Sequence, residues 1–146
     1  MKGVKREHYH REDGACHISR PLLVMSCATT VSKEMMMTGK ATINPQEGRL
    51  TLINVYEVEP ETQAALVKAL TDATKSTIRH QPGFISVSIH SSFDGRKVVN
   101  YAQWASKEHF EDFMKKPETQ DQLKQFAGLA KSVAPSLYRV DEVIAE

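Results

Sequence analysis

Three stretches of this chain, Leu50 to Val58, Phe84 to Ser91 and Lys97 to Trp104, are rich in β-branched and aromatic residues. Their alternation of side-chain character fits a pleated strand better than a helix. Between the first two, Leu66, Ala69, Leu70 and Ala73 recur at helical spacing. Pro60 suits a first turn and His80-Gln-Pro-Gly83 a stop, which predicts a helix of about twenty residues. Asp94-Gly95 signals a hairpin between the second and third strands. Ser106 can cap a second helix carrying Phe110, Phe113 and Met114 on one face. Pro117 begins a further helical stretch, and Pro135 to Ile144 reads as a closing strand. The order β-α-β-β-α-β is the split motif of the ferredoxin-like α+β fold, whose strand order is 4-1-3-2.

Strand side chains point alternately to the two faces of a sheet, so parity sorts them. One set, Ile53, Val55, Ile85, Val87, Ile89, Val99 and Tyr101, is almost wholly apolar. The other holds Asn54, Ser86, Ser88, Asn100, Ala102 and Trp104, with His90 in the alternation of the serines. Helices cover only one face. A bare β-branched face in water marks a partner surface, so a second copy is expected to cover it and form a dimeric α+β barrel. The face under the helices, with small and polar residues, has the outline of a ligand pocket.

The first forty residues have another character: a mixed-charge run from Lys2 to Asp13, a short apolar patch from Pro21 to Ala28, and Met35-Met36-Met37. They are expected to be an N-terminal extension, residues 1–40, ahead of a domain over 41–146, with one of the three methionines a candidate native start. The acidic residues Glu7, Glu12 and Asp13 and the short apolar run do not suit a secretory leader. The apolar patch falls far short of the roughly 20 residues that cross a bilayer, so no membrane association is expected. The only two cysteines, Cys16 and Cys27, lie outside the domain, which suits a reducing, cytoplasmic setting. Nineteen basic against eighteen acidic residues leave a net charge of +1, too little to draw in nucleic acid. Phosphate loops, Cys/His metal spacings and nucleophile elbows are absent from the sequence, and no metal is expected.

The run Ser92-Phe-Asp-Gly-Arg-Lys-Val-Val-Asn-Tyr-Ala-Gln-Trp-Ala-Ser106, preceded by Pro82-Gly83-Phe84-Ile85-Ser86, resembles the hairpin and third strand of the antibiotic biosynthesis monooxygenase family, particularly its polyketide anthrone oxygenases. The resemblance covers about residues 44–146. It implies an enzyme without cofactor that uses molecular oxygen to convert a small phenolic polycyclic substrate to a quinone. Asn100 and Trp104 stand at the family's paired active-site positions, Asn54 at a first-strand Asn of some members, and His90 at a pocket His of related enzymes. Phe110 replaces a pocket Tyr, and Lys124, allowing a one-residue gap, replaces a helix Arg. With Phe113, Ser86 and Ser88 these are the expected substrate contacts. Neutral donors such as Asn amides and the indole N–H suit a developing oxyanion, and His90 would accept the first proton.

Two other readings use the same pocket. A dimeric carrier would bind an aromatic metabolite without consuming oxygen. A haem-degrading relative would need a helix Trp and a helix His where this chain has Phe113 and Leu123, and so lacks the axial ligand. The hairpin also carries a condition. A two-residue Asp94-Gly95 turn pairs His90 with Val99 and points it away from Asn100, so His90 reaches the pocket only through an odd extra residue or a bulge.

Overall fold

The computed structural model describes residues 39–146. The expected extension over 1–40, with Cys16 and Cys27, falls almost entirely outside the described residues. A single helical turn at Pro45–Glu47 leads into β1, Leu50–Glu57. Then come helix α1, Gln63–Ser76, and the hairpin strands β2, Phe84–Ser91, and β3, Lys97–Trp104. Helices α2, Lys107–Met114, and α3, Pro117–Gly128, precede the last strand β4, Ser132–Tyr138. All pairings are antiparallel in the order β2-β3-β1-β4, which is the expected ferredoxin-like α+β topology read from the other edge.

The first helix and the last strand differ most from the bounds expected from the sequence. The first helix begins at Gln63 rather than Pro60, since Pro60 to Thr62 form a preceding turn, and Ile78–His80 is a separate tight turn. The last strand begins before Pro135 and ends at Tyr138. Proline lacks the N–H a central strand needs, but β4 is an edge strand, where its ring is tolerated with that side turned to solvent.

Local chemistry explains the helix positions. Leu66 and Leu70, one turn apart, are the buried residues of α1. The Ser106 hydroxyl accepts from the His109 N–H at 3.2 Å and caps α2, while Pro117 sits at the first position of α3, where no N–H is required. Gly83, at φ +79°, lets α2 come close to the start of β2. A Cβ there would overlap the His109 ring.

The core is divided. One cluster, Tyr56, Val58, Leu66, Leu70, Val98 and Phe126, lies under α1 and α3. The other, Ala102, Trp104, Phe110 and Phe113, lies under α2.

The hairpin decides which β2 residues share a face with Asn100. Ser92 N–H donates to the Lys97 carbonyl at 3.0 Å, closing a loop over Phe93, Asp94, Gly95 and Arg96. The Asp94 carboxylate accepts from the Ser92 hydroxyl and the Arg96 N–H, at 2.6 and 2.9 Å. Four loop residues keep the same parity as two, so His90 pairs with Val99, Ser88 with Tyr101 and Ser86 with Gln103. A bulge does occur, but at the other end of β2, where Ile85 is the extra residue between Phe84 and Ser86. It brings Phe84 beside Trp104 and leaves His90 where it was.

Ser86, Ser88 and His90 therefore face away from the helices, contrary to the sequence expectation, while Val87 and Ile89 face them. The open face keeps a β-branched centre, Ile53, Val55 and Val99 with Tyr101, but its β2 flank is polar.

Candidate active site

The helix face of the sheet reads in rows. Leu50 pairs with Trp104, Leu52 with Ala102, Asn54 with Asn100, and Tyr56 with Val98. Asn54 and Asn100 are thus direct cross-strand neighbours, where Cβ atoms lie about 4.5–5.5 Å apart. Ala102, with only a methyl group, separates Asn100 from Trp104 and leaves room above the sheet.

That room is a cavity of about 340 Å³ between the two core clusters. Tyr56, Leu70 and Phe126 line it from one cluster, and Ala102, Trp104, Phe110 and Phe113 from the other. The volume falls in the range of small-molecule sites.

Trp104 is held rigidly at one end. It is 1% exposed and stacks on Phe113, with ring centroids 4.9 Å apart and planes at 28°. Phe84 and Phe110 meet it edge-on, each at 5.9 Å. Neither its indole Nε1 nor the Asn100 Oδ1 has a hydrogen-bond partner, although both are buried. An orphaned buried donor or acceptor costs about 1–3 kcal/mol. Here one donor and one acceptor belong to side chains that line the same cavity, so a molecule bearing both a carbonyl or phenolate oxygen and a hydroxyl would relieve both costs.

Of the residues singled out in the sequence, Asn54, Asn100, Trp104, Phe110 and Phe113 line the cavity. Ser86, Ser88 and His90 do not, for the parity reason given above, and His90 is exposed. Lys124 does not either: its side chain is 78% exposed and pairs with Asp121 at 3.7 Å. Its neighbours Gln122 and Leu123 face the cavity instead. Phe113 and Leu123 offer only hydrocarbon there, which leaves the haem reading without a ligand at those positions.

Tyr56, Thr119 and Gln122 also line the cavity and were not among the residues expected from the sequence. The signal for Tyr56 was present, since it shares the parity of Asn54. That for Gln122 was its place one turn before Phe126. Burial pushes the Tyr56 phenol up to about 12, partly offset by the nearby Asn54 side chain, so Tyr56 is a neutral donor throughout the physiological range. Among the described residues that line the cavity none is charged.

Residues 49–125 match the antibiotic biosynthesis monooxygenase family, and the chain belongs to it. It is 46% identical over 80 residues to tetracenomycin-F1 monooxygenase of Streptomyces glaucescens, covering 55% of this chain and 71% of that protein. Among solved structures, a monooxygenase from the ActVA-Orf6 gene of Streptomyces coelicolor, in complex with nanaomycin D, superposes with a TM-score of 0.67 at 28% identity. That match covers 73% of this chain and 99% of the other. An anthrone oxidase-like protein superposes with a TM-score of 0.60 at 25% identity, covering 65% of this chain and 40% of the other. This chain is a monooxygenase of antibiotic biosynthesis with the ferredoxin-like α+β fold.

Proposed function

We propose that the protein oxidises a neutral phenolic polycyclic compound, anthrone-like in its doubly activated CH₂, to a quinone with molecular oxygen and without a cofactor. The observation that carries this reading is the orphaned pair Asn100 Oδ1 and Trp104 Nε1 on an uncharged, aromatic-walled cavity. The relatives support it by name, one acting on tetracenomycin F1 and another seen with nanaomycin D.

The chemistry follows from the substrate. A CH₂ between aromatic rings and opposite a carbonyl is acidic, and its enolate is electron-rich enough to pass one electron to oxygen. Recombination forms a C–O bond and a peroxide anion, which takes up a proton. Loss of the second hydrogen of the CH₂ as a proton, with cleavage of the O–O bond, gives the new carbonyl and water. Atoms balance as CH₂ plus O₂ to C=O plus H₂O.

The protein's part is to flatten the substrate against Trp104 and the phenylalanines and to keep bulk water from the radical pair. It stabilises the enolate oxygen through the neutral donor Trp104 Nε1, while Asn100 Oδ1 accepts from a hydroxyl of the substrate. Asn54 and Asn100 act here as substrate contacts. His90 faces away, so the first proton leaves through the substrate's own enolisation, and turnover rises with pH along the substrate's ionisation.

The test is oxygen uptake with 1,8-dihydroxy-9-anthrone, using protein stripped of flavin and metal. One oxygen consumed per quinone formed, well above the rate without protein, supports the reading. Tight binding with no uptake above background would replace it with the carrier reading.

The open face carries the second part of the proposal, a homodimer joined over Ile53, Val55, Val99 and Tyr101. Burying that apolar strip gains about 25 cal/mol per Å². Sedimentation at micromolar concentration is expected to give about twice 16.4 kDa.

A further inference from the structure

The cavity has polar groups at three stations along the sheet: Trp104 at one end, the Asn54–Asn100 pair in the middle, and Tyr56 at the other end. Trp104 and Val98, the cross-strand partner of Tyr56, are six positions apart on β3, which is about 20 Å of strand. Trp104 and Tyr56 nevertheless line one cavity of about 340 Å³, so one extended ligand can meet both. Tyr56 is 2% exposed, so its hydroxyl is not a surface group. Its immediate neighbours in the row, Val98 and Val133, offer no side-chain acceptor. Tyr56 lines the cavity, so its hydroxyl hydrogen can be given to an acceptor on a molecule held there.

We propose that Tyr56 is a specificity-determining residue, which donates its phenolic hydrogen to an oxygen substituent on the ring of the bound polycycle farthest from Trp104. The proposal rests on the reading of this cavity as the substrate site. It narrows the substrate class to linear, uncharged polycyclic phenols that carry oxygen on both terminal rings. A ligand with oxygen on one terminal ring only leaves the Tyr56 hydroxyl unpaired.

Trp104 is the chain's single tryptophan and lines the cavity, so its fluorescence reports binding without any need for turnover. The full chain is titrated at neutral pH with 1,5-dihydroxyanthraquinone and with 1-hydroxyanthraquinone, which differ only in a hydroxyl on the second terminal ring. The wild-type protein should bind the dihydroxy compound about five- to tenfold more tightly, the worth of one neutral hydrogen bond. Tyr56→Phe should abolish that preference while leaving affinity for the monohydroxy compound unchanged. A preference that survives in Tyr56→Phe, or an equal loss for both ligands, overturns the proposal. So does equal affinity of the wild-type protein for the two compounds, a result that stands even if the variant fails to fold. Quenching by neither compound also overturns it. The expected binding pattern without uptake of oxygen from the anthrone would keep Tyr56 in its role and remove the monooxygenase reading alone.

Discussion

Both faces of the sheet hold buried polar atoms without a partner, and the two sets mean different things. On the helix face, Asn100 Oδ1 and Trp104 Nε1 belong to side chains that line a cavity. On the open face, Thr51 Oγ1 and Ser86 Oγ flank Gln103 in one cross-strand row. Gln103 is itself committed, accepting from Arg49 at 3.1 Å and donating to the Tyr101 hydroxyl at 3.3 Å. An orphaned atom points to a ligand where a cavity can hold one. Elsewhere in a sheet it is part of a polar row. Polarity alone did not separate Asn100 from Ser88; the volume above each residue did.

The two faces should differ most at the aromatic wall. Phe113→Ala removes the ring stacked on Trp104 and should cost about 3–5 kcal/mol in denaturant unfolding, whereas Ser88→Ala on the open face should stay within about 0.5 kcal/mol. Similar losses for the two would mean the cavity wall is not the rigid part of the structure.

Next in size is turnover. Asn100→Ala and Trp104→Phe should each lower anthrone oxidation roughly ten- to a thousandfold. His90→Ala should leave the rate and its pH profile as they are. A large loss from the His90 variant would show that the open face takes part in the chemistry.

Alkaline unfolding separates the two faces through Tyr56. Its phenol ionises near 10 in the unfolded chain and near 12 in the folded one, so the unfolded state loses its proton first. The resulting stability is fully present below pH 10 and is lost as pH rises toward 12, by roughly 2–3 kcal/mol at 1.36 kcal/mol per unit. Tyr56→Phe should remove that part of the decline in unfolding titrations.

The smallest effect belongs to Lys124→Ala. Its exposed pair with Asp121 is worth at most about 1 kcal/mol, and neither stability nor turnover should change measurably.

Period-two alternation, helical spacing and the turn residues were enough to give the order of elements and the strand topology, because each is a local property of the chain. Asn54, Asn100 and Trp104 were legible for the same reason: parity within one strand is fixed, and the β1–β3 register puts the two asparagines side by side. What crossed from β2 to β3 was not legible. Whether Ser86, Ser88 and His90 joined Asn100 depended on one residue more or less in the hairpin, and the chain closed it with four residues, placing its extra one at Ile85 instead. Lys124 and Gln122 are two positions apart on α3. Only the packing of that helix over the sheet decided which of them meets the cavity. The cavity exists because two core clusters stop short of each other. That gap follows from the volumes of side chains far apart in sequence, so no local pattern encodes it.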